Sequence, residues 1–390
     1  MNADSSPYPD RSANPMAKPS TPPRPAILAD VAKRAGVHKS TAQRALSGSG
    51  YVDEETLGLV QQAARELGYD PARQQAARAL AMAKQGKFAR TRTLAAFLPA
   101  GFHLGGYFTR LFQGVVDGSS AVANDLLVKT LAQDHGLTDL PHAVRRGDVD
   151  AVIAIAHSAD IKALAKRLQA EPAVSGRPLV SLVNPVPGIP CVTADFRGGA
   201  RLAAAHLLAQ GHRRILHFHL DHGDHRQLSD RPLGYRDAAR AANLDHAAIF
   251  RGVSYEGFGS RAVNAADTLD AAMGQHPGCT AILCVNDYDA VELIAALQRR
   301  GLSVPDDLSI VGYDDTHLWP GPGTDRNHLT TVAVPLEDIG REAVVLALRL
   351  VEGETAVEQV ELATRFVERR STAAPQADAA KRITKAFARR

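Results

Sequence analysis

The sequence predicts an all-α helix-turn-helix head followed by an α/β body of two lobes built on parallel sheets. Residues 28–48 hold two short amphipathic helical patterns separated by a glycine. From Thr93 onward, short apolar β-type runs alternate with amphipathic helical segments. The chain has 390 residues, 45% of them hydrophobic, which is more than one ordinary core accommodates. We therefore expect a small helical domain joined to a larger two-lobed domain.

The first 25 residues precede the helical head and contain seven prolines among Ser, Asn and Asp. A segment of this composition neither forms a helix nor buries a core. We expect a disordered leader over residues 1–25.

The head, expected over residues 26–72, begins with two short helices. Apolar residues at helical spacing define the first, which ends at Gly36: Leu28, Val31, Ala32 and Ala35. The apolar side of the second helix, which faces the first, consists of Ala42, Ala45 and Leu46. Its outer side carries hydrogen-bond donors and no acid: Lys39, Ser40, Gln43 and Arg44. Such a helix fits the major groove of DNA, where guanine presents two acceptors to a cation. A solvated helical hairpin is the alternative for this stretch alone.

A third helix completes the head. Asp53 is placed to cap its N-terminus, and its apolar face continues until Gly68. Residues 73–92 then contain a helix-prone segment and a basic linker. Because an isolated helix this short is marginal in water, we expect a hinge helix that folds only when it is stabilised.

Charge is distributed unevenly along the chain, whose net charge is +3. Residues 1–92 hold 14 Lys and Arg against 8 Asp and Glu, whereas the remainder holds 31 against 34. A basic head on a slightly acidic body is typical of a nucleic-acid-binding module fused to another function.

Nine short runs of the body have strand character: 94–99, 126–131, 151–156, 179–183, 191–194, 215–220, 281–285, 309–313 and 329–334. Near-continuous apolar strands between helices predict parallel sheets covered on both faces. Nine strands exceed one small sheet, so we expect two lobes over residues 93–370 with a ligand cleft between them. We place lobe 1 at about 93–190 and 323–338, and lobe 2 at about 191–322 and 339–370. Residues 371–390 are expected to be a solvated basic tail.

Composition and motif searches exclude several classes of protein. The three cysteines form no C-x-x-C pair, which fits a reducing cytosol, and no apolar run reaches membrane length. Neither G-x-S-x-G nor a phosphate-loop pattern occurs. We expect a cytoplasmic protein that contacts no membrane and carries no cofactor.

The segment HFHLDH, residues 217–222, is the sharpest enzymatic signal in the chain. It matches the H-x-H-x-D-H zinc-ligand spacing of metallo-β-lactamase-type hydrolases, with His217 and His219 on one side of a strand and Asp221 and His222 at its end. The segment also has the position of a plain core strand, and the sequence lacks an upstream β-sandwich half. We expect no catalysis and no metal, with a hydrolytic zinc site and an incidental or regulatory metal site as alternatives.

Ordered motifs along residues 27–370 resemble the LacI/GalR family of bacterial transcription regulators. They are DVAKRAGVHKSTAQRALSG, YVDEET, ARELGYDP, HLLAQGHRRI, DRPLGYRDAA, AILCVNDYDA, ALQRRGLSVPDDLSIVGYDD and LTTV. The resemblance implies a type I periplasmic-binding-protein-like body that senses a small metabolite. It also implies a homodimeric repressor whose paired heads bind a palindromic operator. The alternative, an exported sugar-binding protein, would need an export signal and would have no use for the basic head.

The resemblance also assigns residues to DNA contacts. Lys39, Ser40 and Arg44 match the base-reading positions, and Thr41 and Gln43 lie beside the backbone. A hinge-helix leucine kinks the duplex from the minor groove in this family, and Leu80 is the candidate.

Three departures from the family pattern concern these contacts. Ile27 stands where a threonine usually caps the first helix, and His38 replaces the usual serine before the second. Eight residues, rather than about six, separate Pro71 from Leu80, so Leu80 is alternatively a packed residue.

The predicted effector-binding residues match family motifs or pocket positions: Arg231 in DRPLGY, Asn286 in VNDYDA, Asp314 in GYDD, and the aromatic residues Tyr107, Phe108 and Tyr255. An arginine, an amide and a carboxylate suit sugar hydroxyls, which both donate and accept. Capping a helix and capping a turn are the alternatives for Asn286 and Asp314. The extra arginine and threonine of purine-sensing members are missing near His225 and Gln227, which favours a sugar or polyol.

Overall fold

The computed structural model describes residues 26–47, 52–70, 90–99, 106–131, 139–220, 226–255, 265–316, 327–355 and 359–388. The chain divides into two compact units, Met1–Ala81 and Met82–Arg390. The expected leader, Leu80 and most of the expected hinge lie outside the described residues.

The head consists of three helices: α1 (Leu28–Arg34), α2 (Lys39–Ser47) and α3 (Glu54–Glu66). Their apolar faces meet in one small core, in which Val31, Ala42 and Val60 are fully buried. Gly36 follows α1 with a φ of +70°, a left-handed conformation that glycine adopts without strain. The predicted helix-turn-helix and its third helix are confirmed.

The body contains the following elements in chain order: β1 (Thr93–Leu98), α4 (Gly106–Ala121), β2 (Asp125–Thr130), α5 (His142–Arg145), β3 (Ala151–Ala154), α6 (Ser158–Ala170), β4 (Leu179–Leu182), β5 (Cys191–Ala194), α7 (Phe196–Ala209), β6 (Ile215–Leu220), α8 (Arg226–Ala241), α9 (His246–Ile249), β7 (Phe250–Tyr255), α10 (Ala265–Gln275), β8 (Ala281–Leu283), α11 (Asp287–Arg299), β9 (Ser309–Val311), β10 (Thr331–Ala333), α12 (Leu336–Val351), β11 (Gln359–Leu362), β12 (Arg365–Val367) and α13 (Ala379–Phe387).

The first lobe is built on a six-stranded parallel sheet of order β11-β5-β4-β3-β1-β2. Alternate residues of β1 enter different cores: Leu94 and Leu98 lie in one apolar cluster, and Ala95 and Phe97 in another. Since both faces are covered, the strand is apolar from Leu94 to Leu98, as predicted.

The second lobe is built on a four-stranded parallel sheet of order β7-β6-β8-β9. Strands β10 and β12 form a separate antiparallel pair, and Thr330 and Ala333 bridge to the second lobe at Val311 and Asp314. The prediction of two α/β lobes with parallel sheets is confirmed.

The expected lobe boundaries are wrong in three places. Residues 327–334, expected in lobe 1, bridge to the second lobe through Thr330 and Ala333. Strand β5, expected to open lobe 2, pairs with β4 in the first sheet, and β11 forms the edge of that sheet. Helix α12 packs on α4, also in the first lobe, because two glycines permit close contact. A Cβ at Gly114 would lie 2.1 Å from the Glu337 carbonyl oxygen, and one at Gly340 would lie 2.3 Å from that of Leu111. The chain thus changes lobe near residues 195, 334–335 and 363–364.

The expectation of a solvated C-terminal tail is also wrong. Ser371 is fully buried, and its hydroxyl donates to the Ile310 carbonyl at 2.6 Å. Helix α13 places Ile383, 1% exposed, in the apolar core of the second lobe. Arg382 reinforces the contact by pairing with Asp307. The physical reason is a single apolar side of α13, which is too short to stand out as a sequence pattern.

In the part of the chain that the structure describes, no helix combines the length and apolar character that crossing a membrane requires.

Candidate functional site

The outer side of α2 is a polar and cationic surface. The exposed side chains are those of Lys39, Ser40, Gln43 and Arg44, whereas Thr41 is half-buried. On the opposite side, Ala42 and Ala45 are buried against α1 and α3. Helix α2 therefore presents donors for base edges and phosphates on one continuous side, and the base-reading roles of individual residues stay predictions.

His38 supplies the cap of α2 in place of the usual serine. The Ser40 backbone N–H donates to His38 Nδ1 at 3.3 Å, and the Ser40 hydroxyl lies 2.7 Å from the same nitrogen. The backbone contact needs a lone pair on Nδ1, so it fits the imidazole tautomer protonated at Nε2, in which the Ser40 hydroxyl is the donor to Nδ1. The histidine thus caps the helix and orients one of the predicted base-reading hydroxyls.

The other two helices of the head start differently. Ile27 makes no side-chain cap, and its backbone N–H donates to the Asp30 carboxylate at 2.9 Å. Asp53 caps α3 as predicted, because it accepts the Thr56 N–H at 2.9 Å, a hydrogen bond that lowers the pKa of Asp53.

In the body, Arg231 lies inside helix α8. Its guanidinium carbon lies 3.5 Å from the centroid of the Tyr313 ring and 5.5 Å from that of Phe196. Nη1 donates to the Val285 carbonyl, and Nη2 lies 3.8 Å from Asp314 Oδ1. The buried cation is therefore held by aromatic faces on one side and by a carboxylate on another.

Asp314 is buried, and both it and Asp315 have positive φ, +94° and +57°. Burial raises the pKa of the Asp314 carboxyl to about 6, although the charge of Arg231 opposes this rise. Among the described residues, neither Asp314 Oδ1 nor Arg231 Nε has a hydrogen-bond partner. One buried acceptor and one buried donor are thus available to a ligand.

Asp287, which is fully buried at the start of α11, holds the strained backbone next to Asp314. Its carboxylate accepts the Thr316 N–H at 2.7 Å and the Thr331 hydroxyl at 2.5 Å. Asp314 itself donates its backbone N–H to the Val332 carbonyl at 2.8 Å. These contacts fix the backbone of residues 314–316.

Arg110 on α4 connects this segment to the first lobe. Its Nε and Nη2 donate to the Glu337 carboxylate at 2.6 and 2.8 Å, and its Nη1 donates to the Asp315 carbonyl at 3.0 Å. On the other side, Arg369 pairs with the Asp315 carboxylate at 2.8 Å. The residue after Asp314 is therefore held from both lobes.

The remaining predicted effector residues have different surroundings. Tyr107 and Phe108 form an edge-to-face pair with ring centroids 5.4 Å apart. Burial raises the pKa of the Tyr107 phenol, and the Asp314 charge raises it further. Asn286 caps α11 by accepting the Asp289 N–H at 2.8 Å, so the capping alternative holds for its carbonyl oxygen. Tyr255 ends β7, and its side chain lies outside the described residues.

The structure places His217 of the HFHLDH segment in the core. Its ring is buried and lies 5.1 Å from that of Tyr235. The described residues contain no group of three potential metal ligands, and residues 221–225 lie outside them.

Sequence reasoning missed Tyr313, Phe196 and Asp287. Tyr313 and Asp287 are next to the predicted residues Asp314 and Asn286 in the sequence. The local sequence does not show that Tyr313 faces a buried arginine or that Asp287 supports a strained turn. Phe196 is 35 positions from Arg231, and only the packing of α7 on α8 brings them together.

Two known protein families match separate parts of the chain. Residues 27–72 match the family described as bacterial regulatory proteins, lacI family. Residues 204–372 match the periplasmic binding protein-like domain. The first match covers the three helices of the head, and the second covers most of the second lobe, together with α12 and β11.

Alignments with two regulators extend over most of each chain. The HTH-type transcriptional regulator GalR of Escherichia coli (strain K12) is 27% identical over 367 residues, covering 92% of this chain and 99% of that protein. The HTH-type transcriptional repressor CytR of the same organism is 28% identical over 351 residues, covering 84% and 91%.

Two solved structures share the fold. A complex of the transcriptional regulator CelR with cellobiose has 25% identity and a TM-score of 0.57, covering 89% of this chain and 99% of that chain. The lac repressor dimer bound to operator and the anti-inducer ONPF has 21% identity and a TM-score of 0.59, covering 90% and 100%.

Proposed function

The chain belongs to the lacI family of bacterial regulatory proteins, and from this premise we propose that it is a repressor whose operator affinity is switched by a sugar or polyol. It is a DNA-binding transcriptional regulator with an effector-binding body. The proposal adds the direction of regulation, the class of effector and the residues that carry each step. A regulator rather than an enzyme is proposed because its relatives are transcriptional regulators.

The buried pair of unsatisfied atoms, Arg231 Nε and Asp314 Oδ1, carries the proposal for the effector. A hydroxyl group accepts from the first and donates to the second, and a polyhydroxylated ligand satisfies both at once. Because the Asp314 carboxylate balances the Arg231 charge, the site favours a neutral ligand over an anion or a cation. Tyr107 and Phe108, which pack edge to face, supply apolar surface of the kind that packs on a sugar ring. The similar CelR structure contains cellobiose, which supports this class of ligand.

The outer side of α2 carries the proposal for DNA. We assign base contacts to Lys39, Ser40 and Arg44, with Thr41 and Gln43 beside the backbone and Leu80 as the minor-groove wedge. A single head makes a weak, salt-sensitive contact, so useful affinity needs a homodimer with two heads on a palindromic operator. The name of the similar CytR, a transcriptional repressor, supports repression as the direction.

The effector acts through its different affinities for the operator-bound and free conformations. It shifts operator occupancy only by that difference, which is typically about 1–3 kcal/mol in allosteric proteins. Arg110 and Arg369 hold Asp315, the residue after Asp314, from the two lobes. A ligand bound at Asp314 therefore changes the position of one lobe relative to the other.

Two measurements test the proposed function. The full-length protein is used to select duplexes from a random pool at moderate ionic strength, and its mass in solution is measured by sedimentation. We expect a dimer that enriches an inverted repeat. A monomer with no preference over random DNA would overturn the DNA-binding part of the proposal.

The effector class is tested by a thermal-shift screen of sugars, polyols and nucleosides, because a ligand that binds only the folded state raises the melting temperature. We expect a sugar or polyol that raises the melting temperature and weakens binding to the selected duplex. A response to nucleosides alone would exclude the proposed class, and a ligand that strengthens DNA binding would exclude induction.

A further inference from the structure

A buried carboxylate holds the segment through which the chain enters the body. Asp150, immediately before β3, is 1% exposed and accepts three hydrogen bonds from two linker residues. They come from the Thr91 N–H at 2.7 Å, the Thr91 hydroxyl at 3.0 Å and the Arg92 N–H at 2.9 Å. Both carboxylate oxygens are therefore directed at the backbone that immediately precedes β1.

The charge of Asp150 is balanced from inside the lobe. The Arg177 side chain is also 1% exposed, and its Nη1 lies 3.4 Å from Asp150 Oδ1 while its Nη2 donates to the Gly147 carbonyl at 3.2 Å. From the linker side, Arg90 Nε lies 4.0 Å from Asp150 Oδ2, and Arg90 Nη2 lies 3.7 Å from Glu352. The carboxylate is thus fixed between a buried cation and the linker.

The linker is held in an unusual conformation at this point. Arg92 has a φ of +54°, which side-chain-bearing residues seldom adopt. Its carbonyl accepts the Asp125 N–H at 2.8 Å, and the Thr93 carbonyl accepts the Asp150 N–H at 2.7 Å. Residues 91–93 are therefore tied to the starts of both β2 and β3, on either side of β1.

Resting on the proposed function, we infer that Asp150, supported by Arg177, is the positioning residue that fixes where each linker leaves the body. Two-headed binding depends on the effective concentration of the second head, which falls when its tether is loosened. Binding to random DNA relies on phosphate contacts of the heads and has no such requirement. Loss of the anchor should therefore weaken operator binding selectively.

The test compares Asp150→Asn with Asp148→Asn in the full-length protein. Asp148 lies two residues away and pairs with the half-exposed Arg146 at 2.6 Å, so it is a matched loss of one carboxylate. Binding is measured to the inverted-repeat duplex that the wild-type protein enriches and to a random duplex of equal length. We expect Asp150→Asn to weaken binding to the first by about tenfold and to the second by less than about twofold. Asp148→Asn should change neither.

Equal losses on both duplexes, wild-type affinity for the enriched duplex, or the same selective loss in Asp148→Asn would overturn the inference. If Asp150→Asn does not fold, Thr91→Val decides the question, since it removes one hydroxyl donor to Asp150 at the same volume. A selective loss in Thr91→Val supports the anchor, and unchanged selectivity overturns it. A wild-type protein that enriches no inverted repeat would instead refute the proposed function itself.

Discussion

Arg231 and Asp314 form a buried ion pair whose Nη2 and Oδ1 atoms lie 3.8 Å apart, and each partner keeps one unsatisfied atom. Taking two charges out of water costs free energy that a single long contact does not restore. A ligand that satisfies the remaining donor and acceptor would recover part of that cost, which is the physical basis for proposing the pair as a site for hydroxyl groups.

Replacing Arg231 with alanine should abolish the sugar-dependent rise in melting temperature while binding to the enriched duplex persists. The change removes the buried donor and leaves the Asp314 carboxylate without its counter-ion. Thermal shift and DNA binding are measured on the same preparation. Arg197→Ala is the control, because Arg197 pairs with Asp237 on the surface between α7 and α8. An undiminished ligand response in Arg231→Ala would remove this residue from the site.

The stability of the protein should carry a pH dependence from Asp314. The pKa of its carboxyl is about 6 in the folded protein and 3.8 for an unperturbed aspartate, so the folded chain binds more protons between these values. The contribution to stability is therefore greatest below pH 4 and declines as the pH rises through 6. Relative to Asp314→Asn, the wild-type free energy of unfolding should fall by about 2 kcal/mol between pH 4 and pH 7. The free energy of unfolding is measured by urea unfolding at each pH. If it changes equally with pH in the wild-type protein and in Asp314→Asn, the assignment to Asp314 is wrong.

Replacing Arg44 with alanine should cost roughly 1–3 kcal/mol at one base pair of the operator and relax the preference at that position. Competition binding with duplexes that carry single base changes measures the effect. The control is Arg34→Ala, because the Arg34 guanidinium pairs with Glu66 of α3 at 2.7 Å. A uniform loss on every duplex would show that Arg44 contacts phosphate alone.

Replacing Ile383 with alanine should reduce the free energy of unfolding by about 2–4 kcal/mol, because the side chain is fully enclosed in the second lobe. Thr384→Ala, at the exposed neighbouring position, should change it by less than about 0.5 kcal/mol. Urea unfolding of both variants provides the comparison. Equal stabilities would mean that α13 is not part of the core of the lobe.

The interior strands could be predicted from the sequence because they are apolar on both faces. The edge strands β2 and β9 were predicted from their runs as well, whereas β7, β11 and β12 were not, since they alternate with solvent. Strand β7 has Val253 buried between the exposed Arg251 and Ser254, and β11 and β12 are similarly divided. Omission of β11 contributed to the wrong lobe boundaries, because its pairing with β5 shows that the chain after α12 is still in the first lobe.

The candidate site was predicted residue by residue only where family motifs marked it. Arg231 and Asp314 were identified in this way, although they are 83 positions apart, and their pairing became visible only in the fold. Asp150 was missed because one acid before an apolar run looks like an ordinary turn residue. Its burial depends on Arg177, which no local pattern connects to it.

The three points at which the chain changes lobe have a consequence for protein engineering. Neither lobe is a continuous piece of polypeptide, so a chimaera that exchanges one lobe with a relative must be spliced at three joints in register. Cleavage of a single peptide bond would likewise not separate the two lobes. New ligand preferences in this scaffold are therefore more accessible through side-chain substitutions in place than through transplanting segments.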